Sequence, residues 1–120
     1  MKKIYIAGAY SANNVLQVLK NIGRGEEYAA EIFRAGYAPF TPWHDKDFVI
    51  KSWHFDFNVE MFYQYSIEWL KVSDALFVVP NVSGLMDWQE SKGTLKEIEI
   101  AKEIGIPVFY SLDELYDYSF

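Results

Sequence analysis

The sequence predicts an α/β fold: a three-layer, doubly wound parallel sheet of four to five strands between helices. Three observations point to it. Short runs rich in β-branched and aromatic residues alternate along the chain with longer stretches of helical apolar spacing. Ala75-Leu76-Phe77-Val78-Val79, entered from Asp74, is apolar without alternation, as a strand covered on both faces must be. Ile106 to Tyr110 repeats that character near the end of the chain. Covering both faces of a parallel sheet requires helical crossovers on each side, the flavodoxin- or Rossmann-like arrangement.

Lys3 to Ala7 is the first strand, ending at Gly8. Asn13-Asn14 then caps a helix carrying Val15, Leu16, Val18, Leu19, Ile22, Ala29, Ala30, Ile32 and Phe33 at helical spacing, which stops at Gly36. Gly23 and Gly25 weaken its middle, where a kink or break is expected. Tyr37 to Thr41 reads as a second strand, and Pro39, which has no N–H to give a ladder, places it at an edge. Residues 42 to 57 read as an irregular stretch of aromatic and charged side chains. Val59 to Val72 is helical, with an apolar stripe of Phe62, Tyr65, Trp69 and Val72. After the buried strand come a loop from Pro80 to Glu90, a helix over 94–104, the strand at 106–110, and a short helix from Leu112 to Tyr118. No repeat or linker divides the chain, so a single domain over 1–120 is expected.

Composition removes several functions. At 120 residues and 51% hydrophobic, the chain can bury a core without staples. It has no cysteine and two histidines, which excludes thiolate chemistry and argues against zinc; no metal and no cofactor is expected. A formal charge of −6 opposes binding to the phosphate backbone of polymeric nucleic acid. No apolar run approaches the roughly 20 residues of a membrane span, and Met1-Lys2-Lys3 leads into a strand and not a signal peptide. The expectation is a cytoplasmic protein without membrane contact, acting on a small molecule.

In a doubly wound sheet the ligand lies beyond the carboxyl ends of the strands, where strand order reverses. Two loops therefore stand out, Gly8 to Asn13 and Pro80 to Gly93. Gly8 and Ala9, with little or no side chain, let backbone N–H groups approach a ligand. The second loop runs into Ser91-Lys92-Gly93-Thr94-Leu95-Lys96-Glu97. On a helical wheel Gly93, Ile100, Ala101 and Ile104 gather around Glu97, whereas Lys96, Glu99, Lys102 and Glu103 point the other way. Two readings of this carboxylate stay open. Thr94 and Glu97 match a capping box, in which Glu97 reaches back to the Thr94 N–H. A carboxylate on an apolar arc beside a glycine-rich approach is also what a nucleophile or general base in a pocket requires, since an idle buried charge is costly.

Ser91-x-Gly93-x-x-x-Glu97, followed by Ala101 and Gly105-Ile106-Pro107-Val108, resembles the nucleoside 2-deoxyribosyltransferase superfamily, which includes deoxynucleoside monophosphate N-glycosidases. Lys3 to Gly8 is similar to its first strand and loop, Gly36-Tyr37-x-Pro39-Phe40-x-Pro42 to its second strand, and Glu68-Trp69-Leu70-Lys71-x-Ser73-Asp74-Ala75 to the approach to its third. The resemblance implies that Glu97 attacks the anomeric carbon of a 2-deoxyribosyl group and that Tyr5 orients it. Read alone, Tyr5 is equally a packed strand aromatic. In the family, transferases of free nucleosides carry an aspartate where Ser91 stands and the monophosphate hydrolases a serine. A hydroxyl beside helix N–H groups accepts a phosphate dianion that a carboxylate would repel. The resemblance thus favours a nucleoside 5′-monophosphate, with Gly8, Ala9, Ser66, Ser91 and Gly93 as substrate contacts.

One departure matters. Where the family has a helical aspartate acting on the leaving base or sugar, this chain has Ser66, on the arc of Phe62, Trp69 and Leu70. Asp45, Asp47, His44, Asp56 and His54 are candidates to replace that acid, although each read singly is a solvated side chain. Trp43, Phe48, Trp53, Phe55, Phe57, Met86 and Trp88 either stack on a nucleobase or form a lid or subunit contact. With Tyr110, Tyr116, Tyr118 and Phe120 near the end, and family sites often completed across a dimer, a homodimer or larger homo-oligomer is expected. Two functions remain: cleavage or transfer at the N-glycosidic bond of a nucleoside or nucleotide, and a nucleotide-binding module with little catalysis. Glycosidic cleavage of NAD is a weaker third.

Overall fold

A computed structural model describes residues 1–120. Four parallel strands, β1 (Lys3–Ala7), β2 (Ala38–Phe40), β3 (Ala75–Val78) and β4 (Val108–Phe109), lie in the order β2-β1-β3-β4. The chain winds outward from β1 to β2, returns across β1 to β3, and continues to β4. Strand order therefore reverses between β1 and β3, whose carboxyl ends open at Gly8 and Pro80.

The helices are α1 (Val15–Arg34), α2 (Lys46–Lys51), α3 (Val59–Lys71), α4 (Lys92–Ile104) and α5 (Leu112–Asp117). Alternation along β1 divides the interior into two cores. Ile4 and Ile6 join Ile22, Ile32, Phe77 and Leu115 beneath α1 and α5, and Tyr5 and Ala7 join Leu70, Leu76, Val78 and Ala101 beneath α3 and α4. No helix is long and apolar enough to cross a membrane.

Helix α1 is capped by the Asn14 side chain, which accepts the Gln17 N–H, and it runs without the break expected at Gly23 or Gly25. Gly25 is instead a packing site. The Trp43 ring lies against it, and a Cβ there would collide with the ring. Of the apolar residues spaced along α1, Val15, Leu16 and Leu19 are exposed. A helix of 20 residues spans about 30 Å, whereas the five residues of β1 span about 17 Å. The first turns of α1 thus overhang the sheet.

Residues 42–57 are more regular than expected: Pro42–Asp45 forms a 3₁₀ turn and α2 follows. Helix α2 buries none of its residues, so no apolar stripe exists to betray it. In α3 the buried face is set by Leu70, with Trp69 46% exposed and Val72 beyond the helix end. In α4 the inward set is Ile98, Ile100 and Ala101, and Ile104 is exposed. Strand β4 is the second edge of the sheet, two residues long with Val108 only half-buried, not a strand covered on both faces.

Candidate functional site

Tyr5 is the third residue of β1 and is fully buried on the α3/α4 side of the sheet. Its hydroxyl donates a hydrogen bond to Glu97 Oε2. The local structure of α4 brings the carboxylate there. Ser91 is the N-cap: its Oγ accepts the Thr94 N–H at 3.3 Å and the Thr94 hydroxyl at 3.0 Å. Thr94 is consequently an interior, buried residue of the first turn, and the capping box expected between Thr94 and Glu97 does not form. Glu97 lies nearly a turn further on, free of any capping duty and turned towards β1.

Removal from water pushes the Glu97 carboxyl up to about 7, against a smaller downward pull from the Tyr5 hydrogen bond. Burial first, then the charge of Glu97, pushes the Tyr5 phenol far above its usual range, so it stays a proton donor. The pair holds one carboxylate oriented, poorly solvated and poised between its two protonation states near neutral pH. Such a group serves as a nucleophile or a base.

Two further side chains act on the Tyr5 hydroxyl. Ser66 of α3 offers it a hydrogen bond, which favours the ionised phenol, and the charge of Asp45 opposes ionisation. Burial first, then the charge of Asp45, raises the phenol of Tyr10, and burial raises the Asp45 carboxyl against the pull of Lys46 and His44. The other candidate acids are placed differently. Asp47 faces Lys46 at 4.0 Å, the His44 ring bonds to the Thr41 hydroxyl at 2.9 Å, and His54 and Asp56 are exposed.

Gly8 packs tightly on the residue that follows β3: a Cβ there would meet Val79 at 3.2 Å. Ala9 follows, half-buried, and the carbonyl of Tyr10 accepts a hydrogen bond from the buried Asn21 side chain at 3.1 Å, tying the loop to α1. Gly93 differs. A Cβ there would meet nothing within 4 Å, so no packing within the chain calls for glycine. Ser91, half-buried, stands beside it at the start of α4.

Gly8, Ala9 and Tyr10 also line a crevice on the α1 side, closed by Arg24, Trp43 and Met86. Neither Tyr5 nor Glu97 borders it, and its volume of about 20 Å³ holds a water but not a nucleobase. Arg24, whose buried Nε has no partner, and Asn21 were not singled out from sequence. Asn21 carried a signal, a polar residue on the buried arc of α1. Trp43 is core, its indole N–H donating to Glu26 at 3.3 Å, while Trp53 is 83% exposed and free to meet another molecule. Trp88 packs on Tyr110, and Tyr116 and Phe120 on Tyr37.

No protein-family model and no curated protein matches the sequence. Solved structures do. A 2-deoxyribosyltransferase from the psychrotolerant bacterium Bacillus psychrosaccharolyticus aligns over 98% of this chain and 93% of its own, with a TM-score of 0.60 and 16% sequence identity. The chain has a 2-deoxyribosyltransferase-like fold. At that identity the likeness is one of architecture. Within this 2-deoxyribosyltransferase-like fold, the Tyr5–Glu97 pair sits beside the strand reversal, where α/β sheets bind their ligands.

Proposed function

We propose that the protein cleaves or transfers the N-glycosidic bond of a 2′-deoxynucleoside 5′-monophosphate or nucleoside, with Glu97 as nucleophile. The observation that carries this reading is the Tyr5–Glu97 hydrogen bond beside the strand reversal, around a carboxyl raised to about 7. Near neutral pH a large fraction of Glu97 is ionised, and its poor solvation leaves it reactive. One oxygen attacks C1′ as the base departs with the bonding electrons, and water or a second base then takes the sugar from Glu97. Tyr5 fixes the attacking carboxylate by its hydrogen bond.

The start of α4 suits the 5′ end of the substrate. Ser91 Oγ already accepts two hydrogen bonds, which leaves its own proton to donate to a phosphate oxygen. The Lys92 and Gly93 N–H groups at the start of the helix lack intrahelical partners and point the same way, and Gly93 keeps the approach open. Gly8 and Ala9 bring backbone to the sugar and base. The reaction is assigned to the cytoplasm and to a homodimer or larger homo-oligomer. Val15, at 73% exposed, with Leu16 and Leu19 forms an apolar overhang on α1 that a second copy of the chain would cover. Light scattering that finds only monomer removes the oligomer.

A second reading, a nucleotide-binding module with little turnover, is favoured by one observation, the hydroxyl of Ser66 where a carboxyl would steady the leaving base. Incubation with nucleosides, nucleoside 5′-monophosphates and NAD separates the two. Base release that disappears in Glu97→Ala supports the glycosidic reaction, and tight binding without release supports the module.

A further inference from the structure

Glycosidic cleavage needs a proton for the departing base, and α3 offers only the Ser66 hydroxyl. We propose that Asp45, at the end of the 3₁₀ turn that follows β2, donates that proton. The assignment rests on the glycosidic reading of Glu97.

Phe40, in β2, pairs with Tyr5, in β1, and the turn Pro42–Asp45 leaves the carboxyl end of β2 and packs against β1. Asp45 thus arrives at the end of the sheet that bears the Tyr5 hydroxyl and the Gly8 loop. Its charge is felt on two sides, by the buried phenol of Tyr5 and by the phenol of Tyr10 at the mouth of the loop. At the carboxyl end of β2, beside β1, such a carboxyl would face a base held at C1′ by Glu97.

Asp45 precedes α2 but does not cap it. Its carboxyl accepts the Lys46 backbone N–H and feels the charges of Lys46 and His44, but no side chain hydrogen-bonds it. It is half-buried, and lost solvation raises its carboxyl above the ordinary value against the pull of Lys46 and His44.

The step balances. A Glu97 oxygen forms a bond to C1′, the C1′–N bond breaks, its electron pair passes to the base, and the Asp45 proton goes to a ring nitrogen of that base. Water then attacks C1′, gives a proton to the Asp45 carboxylate, and displaces Glu97 as a carboxylate. Base and 2-deoxyribose (5-phosphate, for a nucleotide) leave, and both acids are restored.

The test uses 2′-deoxyguanosine 5′-monophosphate and its N7-methyl derivative, whose cationic base departs without a donated proton. Wild type is expected to release base from both. Asp45→Asn should lose about 10²-fold or more in kcat on the unmethylated nucleotide and stay close to wild type on the methylated one, which also shows that the variant is folded. Equal losses on both substrates, or no loss on either, overturn the assignment to Asp45 while leaving Glu97 in place. Release by wild type from neither of these nor from any member of the nucleoside and nucleotide panel overturns the glycosidic reading and this proposal with it.

Discussion

The phenol of Tyr5 on β1 is hydrogen-bonded to the carboxylate of Glu97 on α4, two residues 92 positions apart in sequence. The bond couples a group that holds its proton at all working pH to one that exchanges it near neutrality. The pH dependence of the proposed reaction follows from this pair. On the N7-methylated nucleotide, whose base departs without a donated proton, base release should rise with pH through about 7 as Glu97 ionises. Tyr5→Phe removes the bond that favours the ionised carboxylate, so its rising limb should move to higher pH with a lower plateau. A pH–rate profile checks both.

Stability has the opposite sign. Folding raises the Glu97 pKa from 4.5 to about 7, so the folded state binds this proton more tightly than the unfolded chain. The stabilisation is present at low pH and is lost as pH rises from about 4.5 to about 7. Glu97→Gln should therefore be nearly neutral at pH 4 and stabilising by about 3 kcal/mol at pH 8. Urea melts at the two pH values measure it.

Gly93→Ala should separate stability from function. A glycine in the first turn of α4 with open space beside it costs up to about 1 kcal/mol relative to alanine, so the variant should melt higher. If the opening serves a sugar or phosphate, the same variant should raise KM.

Gly25→Ala should do the reverse. The Trp43 ring fills the place of the new methyl, and overpacking of this kind costs about 1–3 kcal/mol. Thermal melts should show that loss, and Trp43→Phe in the same chain should recover part of it.

Burial on both faces is what made β3 legible, because a short, continuous apolar run between polar segments suits a covered strand far better than an exposed one. Glu97 was legible for a related reason, as a charge out of phase with its helix. Its capping role stayed open because Ser91 and Thr94 are both capable caps three residues apart, and only tertiary packing of Thr94 decides between them. Helix α2 escaped notice because it buries no face. Asp45 could not be told from Asp47 or Asp56 in sequence, since what distinguishes it is its nearness to Tyr5 and Tyr10.

Whether Glu97 makes and breaks the bond to the sugar is tested most directly by base release from the nucleoside 5′-monophosphate panel, compared between wild type and Glu97→Gln at pH 8. The variant should be at least as stable as the parent there, so a loss of activity cannot come from unfolding. Wild type is expected to release base and Glu97→Gln to fall to background rates. Equal release by both proteins would contradict a nucleophilic Glu97.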